Sequence, residues 1–408
     1  APKPVEVAEL VAPHRLAGRP SVAVLPFKNL STDAGQDFFS AGVTEDVITA
    51  LGRFSNLLVV AKSASFQLKD RNLSPVEVGR LLDVRYLLEG SVRRAGDRLR
   101  VNVELTEVPT GRNVWSEAYD AEVKDIFDVQ QDIARRVVGS AAVKLTRFER
   151  DRALAKPTEN LAAYEYVLRG REHFSRATRD SNDEAQDMFQ RAIDLDPSYA
   201  AAYAELGLTL IEAEASGWTE FIADDLARAE TLAQKALSLD SASTTAYRLL
   251  AEVHLATKRF DLALGQIDRA LEINPSDAES LLMRGDILVL AGRAAEALPW
   301  LEGALRLDNA RAPVFLGMAY YLLGRYGESV EAMDHGLAGS LGRSNQVLGR
   351  TVLAAAYAQL DRRPDAERER SAMMRIAPGL DAERFASQFG TQEAHDHMLE
   401  GLKKAGFH

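Results

Sequence analysis

The sequence predicts a small α/β domain, a mixed five-stranded sheet with helices on one face, followed by an all-α repeat solenoid. Three observations predict it. Residues 21–124 change between short β-branched runs and helical spacings, the mark of an α/β sheet domain. Thr244 to Pro275 then reads as two short amphipathic helices joined at Lys258-Arg259-Phe260, and its pattern recurs on both sides. Finally, 408 residues with 46% hydrophobic and 27% charged content suit a soluble chain with more than one core.

Residues 1–20, with Pro2, Pro4, Pro13 and Pro20, are read as a linker that leaves an upstream domain or anchor. The chain begins without an initiating Met or a signal peptide, and is read as a piece of something longer. Residues 21–150 form the α/β domain. Ser21–Phe27 is a buried strand and Phe38–Phe54 an amphipathic helix with Val43, Val47, Ile48 and Leu51 on one face. Leu57–Ala61 is a second strand. Ser74-Pro75 opens a short helix, since proline suits a first helical position. Arg85–Arg94 and Arg98–Glu107 pair through the turn Ala95-Gly96-Asp97, and Asn113–Tyr119 extends that meander. Asp125–Phe148 is a long amphipathic helix through Ile126, Val129, Ile133 and Val137.

Residues 151–378 hold the repeats. In the central unit Tyr247, Leu250 and His254 face Ala263, Ile267 and Ala270 across a turn, with small Ala251 permitting close approach. Pro275 stops the second helix, and Ser276 with Glu279 reads as a capping box for the next. Ala251 is matched by Gly285, 34 residues on, then by Gly317 and Ala354, and upstream by Gly207 and Gly170. These six units, from about residue 160 to 378, resemble the tetratricopeptide repeat. The second unit carries extra residues around Glu214–Thr219. Residues 379–408 are read as C-terminal capping helices.

A second resemblance covers the amino-terminal domain. The stretches VAVLPFKNLS, FFSAGVTEDVITAL, VRYLLEGSVRRAGDRLRVNVEL, TGRNVWSEAYD and DIFDVQQDIA resemble the TolB amino-terminal-like domain, which precedes tetratricopeptide repeats in large bacterial signalling proteins. The resemblance implies a sensory or regulatory region downstream of a class III adenylate/guanylate cyclase domain or a winged-helix DNA-binding domain. It also implies a periplasmic position, with an upstream segment as the membrane anchor. A cytoplasmic scaffold is the alternative.

Composition narrows the chemistry. With no cysteine, disulfides, thiol catalysis and cysteine zinc sites are excluded. Neither a phosphate-binding glycine loop nor a nucleophile elbow occurs, and Glu89-Gly90-Ser91 lacks the second glycine such an elbow needs. The expectation is therefore a non-catalytic chain with no cofactor and no metal. Residues 1–150 are near neutral while the remainder is strongly acidic, which disfavours direct nucleic-acid binding.

The candidate functional residues follow from repeat position. First helices of stacked repeats line a groove suited to an extended peptide or a partner helix. Transferred to this chain, the groove-facing positions are Arg248, Glu252, Leu255, Leu282, Asp286, Val289, Val314, Met318 and Tyr321. They either receive a protein or peptide partner or face solvent without one. Trp218 and Phe221, in the extra segment, either serve self-association into a homodimer or pack locally at a helix end. Other features read structurally. His254 packs in the ladder, and His395 and His397 point to different faces of one helix. Glu45-Asp46 suits a helix start, with a metal role as the alternative. Arg93, Arg94, Arg98 and Arg100 form a solvated hairpin end or a dock for an acidic group.

Overall fold

The computed structural model describes residues 20–54, 57–68, 73–141, 157–307, 310–338 and 342–408. The expected linker up to residue 19 and the far end of the helix expected over 125–148 lie outside the described residues. The chain divides into two compact units. One comprises the residues up to Leu210 with Ala227–Leu249 and Ala270–Asp277; the other comprises Ile211–Leu226, Leu250–Arg269 and Ala278–His408. Among the described residues no helix is long and apolar enough to cross a membrane.

The first unit opens with β1 (Ser21–Val24), β2 (Lys28–Asn29), α1 (Asp37–Gly52), β3 (Leu58–Val59), α2 (Lys62–Gln67) and α3 (Pro75–Leu81). The meander β4 (Tyr86–Ala95), β5 (Arg98–Glu107) and β6 (Arg112–Glu122) follows, then α4 (Ile126–Ser140). The sheet is mixed, in the order β3-β1-β4-β5-β6, with short β2 also beside β4. β1 pairs in parallel with both β3 and β4, while β4, β5 and β6 pair antiparallel. A strand flanked by parallel neighbours is normally covered on both sides, and β1 obeys. Val22 and Val24 enter the core with Val43 and Val47 of α1 and Ile133 and Val137 of α4. Ala23 instead packs with Ala64 of α2 and Val78 of α3. The sheet thus carries helices on both faces, where one was expected. The second face was hidden because α2 is too short to show a period.

Local signals account for the element ends. Ser74 and Glu77 form a capping box around α3, with Pro75 at its first turn. Gly96, with φ of 60°, makes the β4–β5 turn. β2 went unseen because it is two residues long; after Pro26, the Phe27 amide donates to Thr44 Oγ1 at 2.9 Å and brings the chain back alongside β4.

Helices then succeed one another. α5 (Leu161–Phe174), α6 (Arg179–Leu195), α7 (Ala200–Ala215), α8 (Ile222–Leu239), α9 (Thr244–Ala256) and α10 (Phe260–Ile273) come first. α11 (Ala278–Leu290), α12 (Ala294–Arg306), α13 (Ala312–Leu322), α14 (Tyr326–Leu337), α15 (Arg343–Gln359) and α16 (Arg363–Ile376) come next. The chain ends in α17 (Ala382–Ala386) and α18 (Gln392–Lys404). The small–large rule is visible at Gly285, where a Cβ would stand 2.3 Å from a Leu301 methyl. Each helix pair also turns in the same way. Ala177, Gly217, Lys258, Gly292, Gly324 and Asp361 all have positive φ at the end of a first helix. The following amide bonds back to the helix, as in Arg293 to Leu288 O at 2.8 Å and Arg325 to Tyr320 O at 2.9 Å, satisfying carbonyls that the helix end would orphan. The Ser276 hydroxyl donates to Leu57 O at 3.3 Å, and α11 starts two residues later, at Ala278.

Within the first unit the sheet and the leading repeat share one core. Tyr164 and Val167 of α5, Phe189 of α6 and Leu206 of α7 belong to the same cluster as Val22, Phe39 and Ile133. At its centre sits a polar knot. Tyr164 OH donates to Asp46 Oδ2 at 2.5 Å, and Gln130 Nε2 lies 3.2 Å from that oxygen and 3.0 Å from the phenol. Arg171 reaches Asp46 at 3.5 Å and Glu205 at 2.7 Å. Burial pushes the Asp46 carboxyl up, against the pull of Arg171 and Tyr164. Tyr164→Phe keeps the ring packing on Phe39 and Phe127 but removes the donor, and is expected to cost about 2 kcal/mol. Urea unfolding followed by circular dichroism measures it; an unchanged midpoint would show that the phenol contributes nothing.

Candidate protein-binding surface

The first helices α9, α11, α13 and α15 carry the groove positions read from the repeat. Arg248 of α9, in the first unit, is half-buried and faces Asp277 at 3.9 Å. In the second unit Glu252, Leu255 and Asp286 are half-buried, whereas Leu282, Val289, Val314, Met318 and Tyr321 are buried. The position rule therefore lands on two kinds of residue. Arg248, Glu252, Leu255 and Asp286 retain access to solvent, and the rest are covered by this chain itself.

Asp286 is the electrostatic feature of this face. Protein surrounds it on most sides while one side stays open, and burial pushes its carboxyl up to about 7. The Arg311 guanidinium pulls the other way and Glu252 adds to the rise. Arg311 is itself engaged by Glu279 in an ion pair. A carboxyl raised in this way gains from any cation placed beside it, since the charged form is the one that burial penalises.

Tyr321 is covered by α18, which packs against α13 and α15. The His397 ring stacks on Tyr321 with centroids 4.9 Å apart, and Tyr321 OH donates to His397 O at 3.2 Å. Tyr326 OH lies 2.8 Å from His397 Nε2, and burial holds that imidazole below the usual histidine range. His395, two residues back, turns instead to Glu383 and Asp396 at 3.1 and 3.0 Å. The two histidines do point apart, as their spacing requires. Tyr326 and His397 were not among the groove positions; the only sequence signal for them was an aromatic residue just past the turn and a histidine four residues before a glycine.

The other singled-out residues fall as follows. Trp218 is half-buried, and its amide closes α7 on Ala213 O at 2.8 Å, at the place where later repeats carry Arg293, Arg325 and Arg362. Phe221 is 70% exposed beside Ile222 at 37%, so the extra segment presents an apolar edge. His254 is buried, as a packing residue would be. Glu45 and Asp46 sit in the middle of α1, not at its start; Glu45 pairs with Lys62 and Asp46 turns into the core. Three of the four hairpin arginines are engaged within the first unit, and Arg98 is exposed. Arg93 donates to Leu30 O at 3.2 Å, Arg94 pairs with Glu165 at 2.6 Å, and Arg100 lies 3.7 Å from Asp120.

Comparison with known proteins agrees with the repeat reading. Residues 220–286 and 282–340 match family models of the tetratricopeptide repeat. Residues 18–136 match the second domain of the HilA/YgeH-like transcriptional regulators. A Rhizobium meliloti protein named "Putative adenylate cyclase 3" is 38% identical over 251 residues, 62% of this chain and 43% of that protein. The chain thus spans less than half the length of that relative. Among solved structures, PilF of Pseudomonas aeruginosa is 18% identical, with a TM-score of 0.39 over 59% of this chain and 97% of its own. TolB of Acinetobacter baumannii is 17% identical, with a TM-score of 0.25 over 32% of this chain and 30% of its own, so the TolB likeness is weak.

The raised Asp286 carboxyl gives a pH dependence with a definite sign. Between its ordinary 3.8 and about 7, the folded chain keeps a proton that the unfolded chain has released. Its contribution to stability is complete below the lower value and is lost as pH rises through the upper one. Urea midpoints at pH 5 and pH 8 are expected to differ less in Asp286→Asn than in the wild type; an equal difference in both proteins refutes the assignment.

Proposed function

We propose that this chain, with its tetratricopeptide repeats behind a HilA-like sheet domain, is the non-catalytic interaction and regulatory region of a larger bacterial signalling protein. Its repeats are a protein-binding scaffold, and the reading gives them a protein or peptide partner. The observation that carries it is the accessible polar floor of α9 and α11, where burial and Glu252 raise the Asp286 carboxyl against the pull of Arg311. A partner segment supplying a lysine, an arginine or a free amino terminus would return Asp286 to its charged form. A phage-displayed peptide library panned on the full chain is expected to yield basic peptides, with Asp286→Asn weakening them about tenfold, the worth of one charge-assisted contact. Recovery of no peptides, or of peptides indifferent to Asp286→Asn, would count against this site.

Two output functions are supported by different matches. The relative named for adenylate cyclase favours the noncatalytic part of a class III cyclase. The match over residues 18–136 favours the sensory part of a transcription regulator. A periplasmic position belongs to the same proposal and rests on the family resemblance alone. Either output works through assembly if copies of the chain associate, and exposed Phe221 and Ile222 beside Trp218 offer an apolar edge for it. Light scattering coupled to size exclusion is expected to show a wild-type dimer that becomes a monomer in Phe221→Ala and Trp218→Ala. Monomers throughout would remove self-association from the proposal.

A further inference from the structure

We propose that the ends of the first helices in the second unit form a receptor for an amphipathic helix, and that the chain's own C-terminal segment is its resident occupant. The inference rests on reading the repeats as a protein-binding scaffold, and it names the partner's chemistry. A segment that only capped the array would touch the last helix pair. Residues 381–408 instead reach four successive repeats. Lys258 Nζ donates to Ser387 O, Gly390 N to Leu290 O at 2.7 Å, Tyr321 OH to His397 O at 3.2 Å, and Lys404 Nζ to Gln359 Oε1 at 2.9 Å.

These contacts describe what the face recognises. Leu290 O is a last-turn carbonyl that helix geometry leaves open, so a backbone amide satisfies it whatever the side chain. Specificity lies one step further along. His397 lays its ring on Tyr321 and meets Tyr326 OH at 2.8 Å, and one helical turn later Gly401 passes the Tyr321 phenol. A Cβ at position 401 would stand 1.8 Å from that oxygen, so only glycine fits. Met398 and Leu402, adjacent to each, are fully buried. The ligand is therefore a helix with an aromatic or imidazole ring, an unbranched or γ-branched apolar residue next to it, and glycine four residues after the ring.

The occupant is tethered through Pro378 and Gly379, both exposed, and a Cβ at Gly379 would meet no atom within 4 Å. A short exposed tether gives the segment a local concentration of about millimolar. A free helix of the same chemistry must then compete with it, and its apparent affinity falls with the fraction of time the face is open. The segment acts as a ligand in cis that sets the threshold for a ligand in trans.

The test uses the full chain and a fluorescein-labelled synthetic peptide of residues 391–408. Gly401→Leu forces α18 off Tyr321, and hydrogen exchange reads its release. Fluorescence anisotropy is expected to show the peptide binding this variant at least tenfold more tightly than the wild type. Equal binding to both, no binding to a chain whose α18 is released, or an α18 that stays protected in Gly401→Leu would each overturn the inference. If Gly401→Leu does not fold, a protease site inserted between Gly379 and Leu380 of the native chain serves instead. The labelled peptide should then exchange onto the chain only after cleavage, and a cleaved chain that takes up none rejects the proposal. Such a failure leaves the scaffold reading to the library selection, which does not depend on the C-terminal segment.

Discussion

A carboxylate turned into an apolar core has to be matched, and Asp46 is matched by side chains from two other helices. Tyr164 and Arg171 come from α5 and Gln130 from α4, while Glu205 of α7 holds the far side of Arg171. Leaving any of these groups alone in the core would cost more than the bond itself contributes. The knot therefore admits one relative placement of α1, α4, α5 and α7. Phe39 and Phe127 close on the Tyr164 ring at 6.4 and 4.8 Å, and Arg94 and Arg169 lie over Phe39 and Phe38. The leading repeat is thus part of the sheet domain's core, and a shift of one must strain the other.

The later repeats are held differently. Their helix pairs depend on small residues meeting large ones, and on a left-handed residue that ends each first helix. Two of those residues are glycine, at 292 and 324, while Lys258 and Asp361 take the same conformation with side chains. Arginines just past two of these turns stack on the helix they leave, Arg325 over Tyr320 and Arg362 over Tyr357, both at 4.4 Å. These turns are also where residues of the C-terminal segment dock, through Gly390 and Thr391 at Leu290 and Gly292. A repeat array offers the same edge many times, and here one stretch of the chain's own sequence uses it across several repeats.

Charge adds a second layer. Of the hairpin arginines, Arg93, Arg94 and Arg100 have partners within the first unit, while Arg93, Arg98 and Arg100 stay exposed, and residues 151–408 are strongly acidic. Asp286 is the carboxyl whose environment burial alters most on the candidate face, with Glu252 raising it further and Arg311 opposing. A carboxyl raised in this way titrates near neutral pH, and a cation beside it would favour its charged form.

Much of the architecture was legible from short-range pattern. The six helix pairs, the β4–β5–β6 meander, the Ser74-Pro75 helix start and the buried role of His254 all depend on residues within a few positions of one another. The candidate face was legible only as a set of positions: Asp286 and Glu252 keep an open side, and Val314, Met318 and Tyr321 do not. What the sequence determined by itself was where helices and strands begin and which residues are small or large along them, because propensity, capping and periodicity act locally. The tertiary structure alone decided that β1 is covered on both faces, that Asp46 meets a phenol 118 residues away, and that α18 lies on Tyr321, 76 residues before His397. Those are choices among partners distant in the chain, settled by which arrangement matches buried polar groups, open carbonyls and apolar faces to one another.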